Sequence, residues 1–104
     1  SFSMLRTMAA AYEIGQLRDN PLHAAQLYWL ATVGSARSLH LADKIGNIAV
    51  GAEADLIVLD LASTDAISQR QARAETHWEA LFPTIMMGDD RAIQETFIDG
   101  KAAA

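Results

Sequence analysis

The sequence predicts an α+β chain, with helices in its first half and a few short strands in its second half. Apolar residues recur at helical spacing between Leu5 and Ala31, and an unbroken apolar run covers residues 56–59. Near the C-terminus, Asp99-Gly100 is a dipeptide typical of tight hairpin turns. With 104 residues, 51% of them hydrophobic, the chain can form one folded domain at most and is too apolar to be disordered.

The first predicted helix follows from the helical spacing of apolar residues that starts at Leu5 and continues through Tyr12. We expect this helix to end near Leu17, where a polar turn follows. Ser1 and Ser3 precede it, and either hydroxyl could accept a hydrogen bond from a free amide of the first turn.

A second helix is predicted from Asn20-Pro21, because a capping side chain there precedes Pro at the first helical position. Its apolar face covers residues 24–31. Thr32 then predicts the cap of a short third helix over residues 34–39, and residues 40–44 form a connector.

Two strands are predicted in the middle of the chain. A short one covers residues 48–50, and Gly51 supplies a turn after it. The second covers residues 55–61, and its continuous apolar run predicts a strand that is covered on both faces.

The last third of the chain predicts a loop, a helix and a hairpin. Residues 62–75 are mostly polar and are interpreted as a connector loop with one weak helical turn. Thr76 caps a helix that Gly88 ends, with Pro83 as a possible kink inside it.

Residues 93–98 alternate as a strand, the Asp99-Gly100 turn follows, and residues 101–104 return as a final strand. Three or four short strands make a poor sheet alone. We therefore expect these strands to join a sheet that another part of a larger protein supplies.

Composition excludes several classes of function. The net charge is −5, and an acidic surface disfavours nucleic acid and anionic membranes as partners. The absence of Cys excludes disulfides, thiolate nucleophiles and Cys-ligated zinc, and it fits a cytoplasmic location. The chain starts with Ser1 and its first Met is Met4, which leads us to expect that it was cut from something longer.

The histidines His23, His40 and His77 do not form a metal-binding motif. They are widely spaced, without a His-x-His pair or a His-Glu-x-x-His helix. We interpret them as surface or boundary residues.

Serine and glycine motifs are also incomplete. Ser35 and Ser38 lack a Gly-x-Ser-x-Gly context and are interpreted as small packing residues of a helix. Gly46 and Gly51 resemble the start of a phosphate loop, but Ala52-Glu53 stands where Lys-Ser/Thr would be needed, so both are interpreted as turn residues.

Adjacent carboxylates give the remaining candidates for acid/base chemistry. Asp89-Asp90 could be such a pair, but neighbouring loop residues usually diverge. We interpret this segment as a turn in which Asp caps a backbone amide and Arg91 forms an ion pair. Asp55, at the entry of a strand, is expected to hold local backbone or a neighbouring basic group. We thus predict no catalytic, cofactor-binding or metal-binding residue in this chain.

Four stretches resemble one family. LATVGSARSLHLADKIGNIAVGAEADLIVLD, residues 30–60, resembles the closing region of the amidohydrolase superfamily, with its Ile45-Gly46 turn, Gly51 and the pair Ala54-Asp55. SFSMLRTMAAAYEIGQL, NPLHAAQLYWLAT and LFPTIMMGDDRAIQETFIDGK resemble the C-terminal helices and the Gly-Asp-Asp-Arg ending of guanine deaminases. Together these stretches cover nearly the whole chain.

The resemblance implies an α+β fragment made of the last outer helices of a (β/α)8 TIM barrel and the C-terminal strands of its accessory β-sandwich. It implies barrel helices in 1–44, sandwich strands in 45–61, a connector in 62–75, a C-terminal helix in 76–88 and the final sandwich hairpin in 89–104. Guanine deaminases are zinc hydrolases of purine catabolism that convert guanine and water to xanthine and ammonia. Their metal ligands and catalytic Glu lie earlier in the chain and have no counterpart here.

We therefore expect this chain to be the structural C-terminal segment of such an enzyme, inactive alone and without bound zinc. Its expected partners are the N-terminal part of the same enzyme, which carries the guanine site, and further copies in a homo-oligomer. Two alternatives are a free-standing interaction or assembly module, and the C-terminus of another amidohydrolase such as a different aminohydrolase or a chlorohydrolase. A complete small enzyme using Asp89, Asp90 and a His has no support in the spacing.

Overall fold

The structure is a computed structural model that describes residues 3–103; Ser1, Phe2 and Ala104 lie outside this description. A helical part and a small sheet make up the described chain. The helices are α1 (Met4–Leu17), α2 (Ala24–Trp29), α3 (Ser35–Ser38), α4 (Asp65–Ala72) and α5 (His77–Met87), and the strands are β1 (Leu56–Leu59), β2 (Ile93–Ile98) and β3 (Lys101–Ala102). A π-helical turn (Leu30–Gly34) joins α2 to α3, and a 3-10 turn (Asp90–Ala92) precedes β2.

Helix α1 confirms the prediction that the first helix ends near Leu17. Ser3 occupies the N-cap position with extended backbone, and its carbonyl accepts hydrogen bonds from the amide and the hydroxyl of Thr7, both at 3.2 Å. The capping role predicted for Ser1 lies outside the described residues. The helix presents Leu5 and Met8 to the interior, as their spacing predicts.

Helix α2 begins later than predicted, at Ala24 and not at Pro21. Its cap is His23, whose Nδ1 accepts a hydrogen bond from the Ala25 amide at 3.0 Å. Gln26 Oε1 accepts from the His23 amide at 2.7 Å, which completes a reciprocal capping box. This box satisfies two amide donors at once and so fixes the start of the helix at Ala24.

The third predicted helix is present as α3, but it is the continuation of α2 and does not begin independently. Helix α2 continues through the π-helical turn into α3 without a break. The cap predicted at Thr32 is therefore wrong. The Thr32 hydroxyl donates back to the Tyr28 carbonyl of its own helix at 2.7 Å, which is a common alternative for a Thr inside a helix.

The core lies between α1, α2 and α5. The aromatic rings of Tyr12 and Phe82 meet edge to face at its border, with 5.0 Å between centroids. The fully enclosed apolar residues of this core are Leu5, Met8, Ala24, Leu27, Ile85 and Ala92. Helices from both ends of the chain thus enclose one cluster of side chains.

Residues 62–75, predicted as a connector loop, contain the helix α4. Thr64 caps it by accepting a hydrogen bond from the Ile67 amide at 3.2 Å. Ile67 itself is completely buried. One good cap and one buried anchor are sufficient for two turns of helix, although the segment is polar in composition.

Helix α5 confirms the predicted cap and end. Thr76 Oγ1 accepts a hydrogen bond from the Glu79 amide at 3.1 Å, and the helix stops at Gly88. Pro83 lies buried inside α5, which continues past it to Met87.

The three strands form one antiparallel sheet in the order β1-β2-β3. Leu56 pairs with Phe97, and the register shifts between Val58 and Leu59. Positive φ angles of 53° at Asp99 and 75° at Gly100 confirm the predicted hairpin turn between β2 and β3.

The strand predicted over residues 48–50 is wrong, because this segment is a loop without a neighbouring strand. The Glu53 amide donates to the Lys44 carbonyl at 2.7 Å and closes the loop at its base. Gly46 and Gly51 both have a φ of 91°, which confirms that they are turn residues.

Candidate functional site

The histidines occupy three unrelated places. His23 caps α2, and its ring meets Trp78 edge to face at 5.9 Å, whereas His40 and His77 are exposed on a turn and at the start of α5. Within residues 3–103 no three His, Asp or Glu side chains come together in a way that could hold a metal. The described residues therefore do not fit a zinc site.

Asp89 and Arg91 form the capped turn that the sequence predicts. Asp89 Oδ1 accepts a hydrogen bond from the Arg91 amide at 3.0 Å, and Arg91 Nη2 donates to Asp89 Oδ2 at 2.7 Å. The side-chain hydrogen bond from Arg91, followed by the backbone one, lowers the pKa of Asp89. The same pairing raises the pKa of Arg91. A carboxylate held ionised in this way is suited to a structural role and is a poor proton donor.

Asp55 connects two distant parts of the sheet. Its Oδ1 accepts a hydrogen bond from the Asp99 amide at 2.9 Å, and beside it the Gly100 amide donates to the Ala54 carbonyl at 2.9 Å. These bonds fasten the start of β1 to the hairpin turn. Asp55 thus holds backbone, as one of its two expected roles required, but the amide it binds lies 44 residues away and is not local.

Ser35 and Ser38 direct their hydroxyls to their own helix. Ser35 Oγ donates to the Leu30 carbonyl at 2.8 Å, and Ser38 Oγ donates to the Gly34 carbonyl at 3.1 Å. Neither hydroxyl is bonded to a base that could activate it. Ser35 is partly buried, as expected of a small packing residue, whereas Ser38 is exposed and does not fit that interpretation.

Tyr28 carries a partly buried hydroxyl. The sequence pattern predicts this residue only as a member of the apolar face of α2. Its hydroxyl donates to the Leu81 carbonyl at 3.2 Å and so connects α2 to α5. Burial raises the pKa of Tyr28 to about 12. The phenol therefore stays neutral at physiological pH and acts as a hydrogen-bond donor between helices.

Many large apolar side chains are exposed on the surface of the described residues. On β1, Ile57 is 50% and Val58 41% exposed, so residues 3–103 do not themselves cover both faces of this strand. Other large apolar side chains exposed by a third or more include Leu17, Leu30, Leu39, Ile48, Val50 and Ile98. No helix within residues 3–103 has both the length and the apolar character needed to cross a membrane.

An apolar groove of about 470 Å³ separates α1 and the π-helical turn from the sheet. Met4, Ala31, Ile57, Leu59 and Ile93 line it, and Asp89 lies at its border. Such a groove can accommodate apolar side chains of another segment.

Strand β1 also has an open edge. It pairs with β2 only, so the backbone groups on its other side have no partner strand within the described residues. An open edge of this kind is a template for a further strand.

A separate open pocket of about 660 Å³ lies among α1, α2, α4 and α5. It is lined by aromatic and basic side chains, among them Trp78, Arg70 and Arg73. Sequence reasoning missed this pocket, because its basic wall belongs to the helix α4 that was predicted as a loop.

Sequence comparisons identify relatives along nearly the whole chain. The profile of the amidohydrolase family matches residues 1–103. The guanine deaminase of Escherichia coli (strain K12) is 39% identical over 101 residues, which cover 97% of this chain and 23% of that protein. The guanine deaminase of Homo sapiens is 27% identical over 110 residues, with 97% of this chain and 24% of that protein covered. The chain thus spans about a quarter of the length of these relatives.

Solved structures show the same relation. The structure of E. coli guanine deaminase matches with a TM-score of 0.95 at 38% sequence identity, covering 100% of this chain and 24% of that one. Guanine deaminase from Bradyrhizobium japonicum matches with a TM-score of 0.90 at 28% identity, covering 100% of this chain and 28% of that one. The backbone of residues 3–103 is therefore that of one portion of these larger proteins.

Proposed function

Because the chain belongs to the amidohydrolase family, we propose that it forms the C-terminal portion of a guanine deaminase, which hydrolyses guanine to xanthine and ammonia. The observation that carries this proposal is the match to the E. coli enzyme, at 39% identity over 97% of the chain and a TM-score of 0.95. A shared fold alone would not imply a shared reaction. The sequence identity along the chain is what supports the same reaction here.

The role proposed for the chain within this enzyme is structural. Residues 1–44 provide outer helices of a (β/α)8 barrel and residues 76–88 a C-terminal helix, while β1 within 45–61 and the hairpin within 89–104 belong to an accessory β-sandwich. The groove beside α1, the open edge of β1 and the exposed Ile57 and Val58 support this role, because each needs a covering partner.

The chemistry belongs to the remaining part of the enzyme in this proposal. A zinc ion there would activate the attacking water, and its ligands and the proton-transferring Glu would come from that part. Within residues 3–103 no three His, Asp or Glu side chains are grouped so that they could hold a metal. The whole enzyme is proposed to be a cytoplasmic homo-oligomer.

A chimaera tests the proposal directly. The quarter of the E. coli guanine deaminase that matches this chain is replaced by residues 1–104, and guanine turnover is followed by the loss of guanine absorbance. We expect a turnover number within about tenfold of the intact E. coli enzyme, since only supporting surfaces are exchanged. The same enzyme truncated at the junction is the control and is expected to be inactive.

A chimaera that folds and carries zinc but leaves guanine unchanged would overturn the proposal. Turnover of guanine by the isolated 104-residue chain would overturn the structural role. We expect the isolated chain to bind zinc weakly and to associate into oligomers through its uncovered apolar faces, which light scattering would detect.

A further inference from the structure

We propose that the pocket among α1, α2, α4 and α5 binds a small planar anion of the class that includes nucleoside monophosphates. Its volume of about 660 Å³ falls within the range of roughly 300–1,000 Å³ that is usual for small-molecule sites. The inference depends only on the residues of this pocket and is independent of the deaminase proposal.

Two arginines give this pocket positive charge that can attract an anion. Arg70 lies in the last turn of α4 and Arg73 caps its C-terminal end, and both line the pocket. Within residues 3–103 neither guanidinium group takes part in an ion pair or a side-chain hydrogen bond. Guanidinium groups bind phosphate and carboxylate oxygens in a bidentate manner.

Aromatic side chains line the same pocket as the two arginines. Trp78 is 43% exposed, which leaves part of its indole ring available for stacking against a planar ligand. Tyr12 and Phe82, whose rings meet edge to face, also line the pocket. Planar bases stack on aromatic side chains in nucleic-acid complexes.

His23 adds a hydrogen-bond donor. Its Nδ1 accepts from the Ala25 amide, so the proton of the neutral ring is on Nε2. The lining also contains one carboxylate, Glu79, whose Oε2 already accepts a hydrogen bond from the Glu75 amide at 2.8 Å. The pocket lining thus contains two guanidinium groups and a ring N–H donor, against one carboxylate that already accepts a hydrogen bond. This balance favours a ligand that carries negative charge.

Tryptophan fluorescence can test the proposal on the full chain. Trp29 is replaced by Phe, so that Trp78 is the only indole, and guanosine 5′-monophosphate is added as the probe. We expect saturable quenching with a Kd below about 1 mM. Inorganic phosphate and guanosine are titrated separately, and each is expected to bind at least tenfold more weakly, because each offers only half of the contacts.

The double variant R70A/R73A should weaken nucleotide binding at least tenfold. The double variant R6A/R18A is the matched control, since it removes the same charge from exposed positions outside the pocket lining. R73Q, which retains most of the side-chain length, provides a second variant if the double variant does not fold by circular dichroism.

Four outcomes would overturn the proposal. Nucleotide binding that is absent, or equally weakened in R6A/R18A, would mean that no specific site exists. Phosphate binding as tightly as the nucleotide would mean that the ring makes no contact. Guanosine binding as tightly would mean that the arginines do not recognise an anion.

Discussion

The helical part and the sheet differ in whether they possess a core. Helices α1, α2 and α5 enclose Leu5, Met8, Leu27 and Ile85, all of which are at most 7% exposed. In β1, β2 and β3 no residue is buried to this extent. The sheet has hydrogen-bonded ladders between its strands, with a register shift at Val58/Leu59, but little apolar cover on its faces.

This difference shows which part of the chain is stabilised by its own residues. Burial of apolar area is the dominant favourable contribution to folding, whereas a backbone hydrogen bond contributes about 1 kcal/mol net. The helical part has its own burial, and the sheet needs a further layer of protein to acquire it. The following four predictions compare the two parts.

The largest difference in the free energy of unfolding is expected between the variants Leu27→Ala and Ile57→Ala of the isolated chain. Leu27 is fully buried, so its truncation should lower the free energy of unfolding by about 2–5 kcal/mol. Ile57 is half exposed, and its truncation should cost about 1 kcal/mol or less. Urea unfolding followed by circular dichroism measures both. Equal losses would mean that the sheet has a core of its own.

A smaller effect is expected from the cap of α5. Thr76→Ala removes the acceptor for the Glu79 amide and should lower the free energy of unfolding by about 1 kcal/mol. Thr32→Ala is the matched control, because the Thr32 hydroxyl bonds only to carbonyls of its own helix and its loss should change stability little. A larger loss at Thr32 than at Thr76 would contradict this assignment.

Within the sheet, Asp55→Ala should have a local effect. It removes the acceptor for the Asp99 amide, at a cost of about 0.5 kcal/mol because the bond is exposed to water. Hydrogen exchange should become faster at Asp99 and Gly100 and stay unchanged in α1. Asp55→Asn keeps an acceptor oxygen and should retain most of the protection. Faster exchange in α1 would show that the two parts unfold together.

The smallest effect on stability is expected from Arg91→Gln, since the ion pair with Asp89 is exposed. The pKa of Asp89 should rise towards its ordinary value, because the lowering by Arg91 is lost. A carboxyl whose pKa is lowered by folding contributes stability above its unfolded pKa and loses that contribution as the pH falls through the folded pKa. The variant should therefore lose slightly less stability than the native chain on acidification below about pH 4.

Carbon-13 titration of the Asp89 carboxyl measures this change. Arg18→Gln, far from Asp89 in sequence and without a bond to it, should leave the titration unchanged. An unaltered Asp89 titration in the Arg91 variant would contradict the assigned cause.

Elements defined by local signals could be predicted from the sequence. The spacing in α1, the Thr76 cap of α5 and the Asp99-Gly100 turn are each determined within a few residues, and the structure has all three. The role of Asp55 followed from its position at a strand entry, although its partner 44 residues away did not.

The errors concern features that depend on distant parts of the chain. Helix α4 depends on the burial of Ile67 in a tertiary contact, which the polar composition around it conceals. The segment 48–50 has the residues of a strand but no neighbouring strand within the described chain. Two local signals compete for the start of α2. Asn20-Pro21 favours a start at Pro21, but the reciprocal hydrogen bonds of His23 and Gln26 fix the start at Ala24.

The π-helical turn at Leu30–Gly34 determines how the chain responds to the deletion of a residue. It sets the rotation of α3 so that Ala36 faces Gly46, where an added Cβ would lie 2.8 Å from the Ala36 Cβ. Deletion of one codon within this turn would rotate all following helical residues by about 100°. Arg37 would then take the position of Ala36, and its larger side chain would meet the loop at Gly46. This segment therefore tolerates many substitutions more readily than the loss of a single residue.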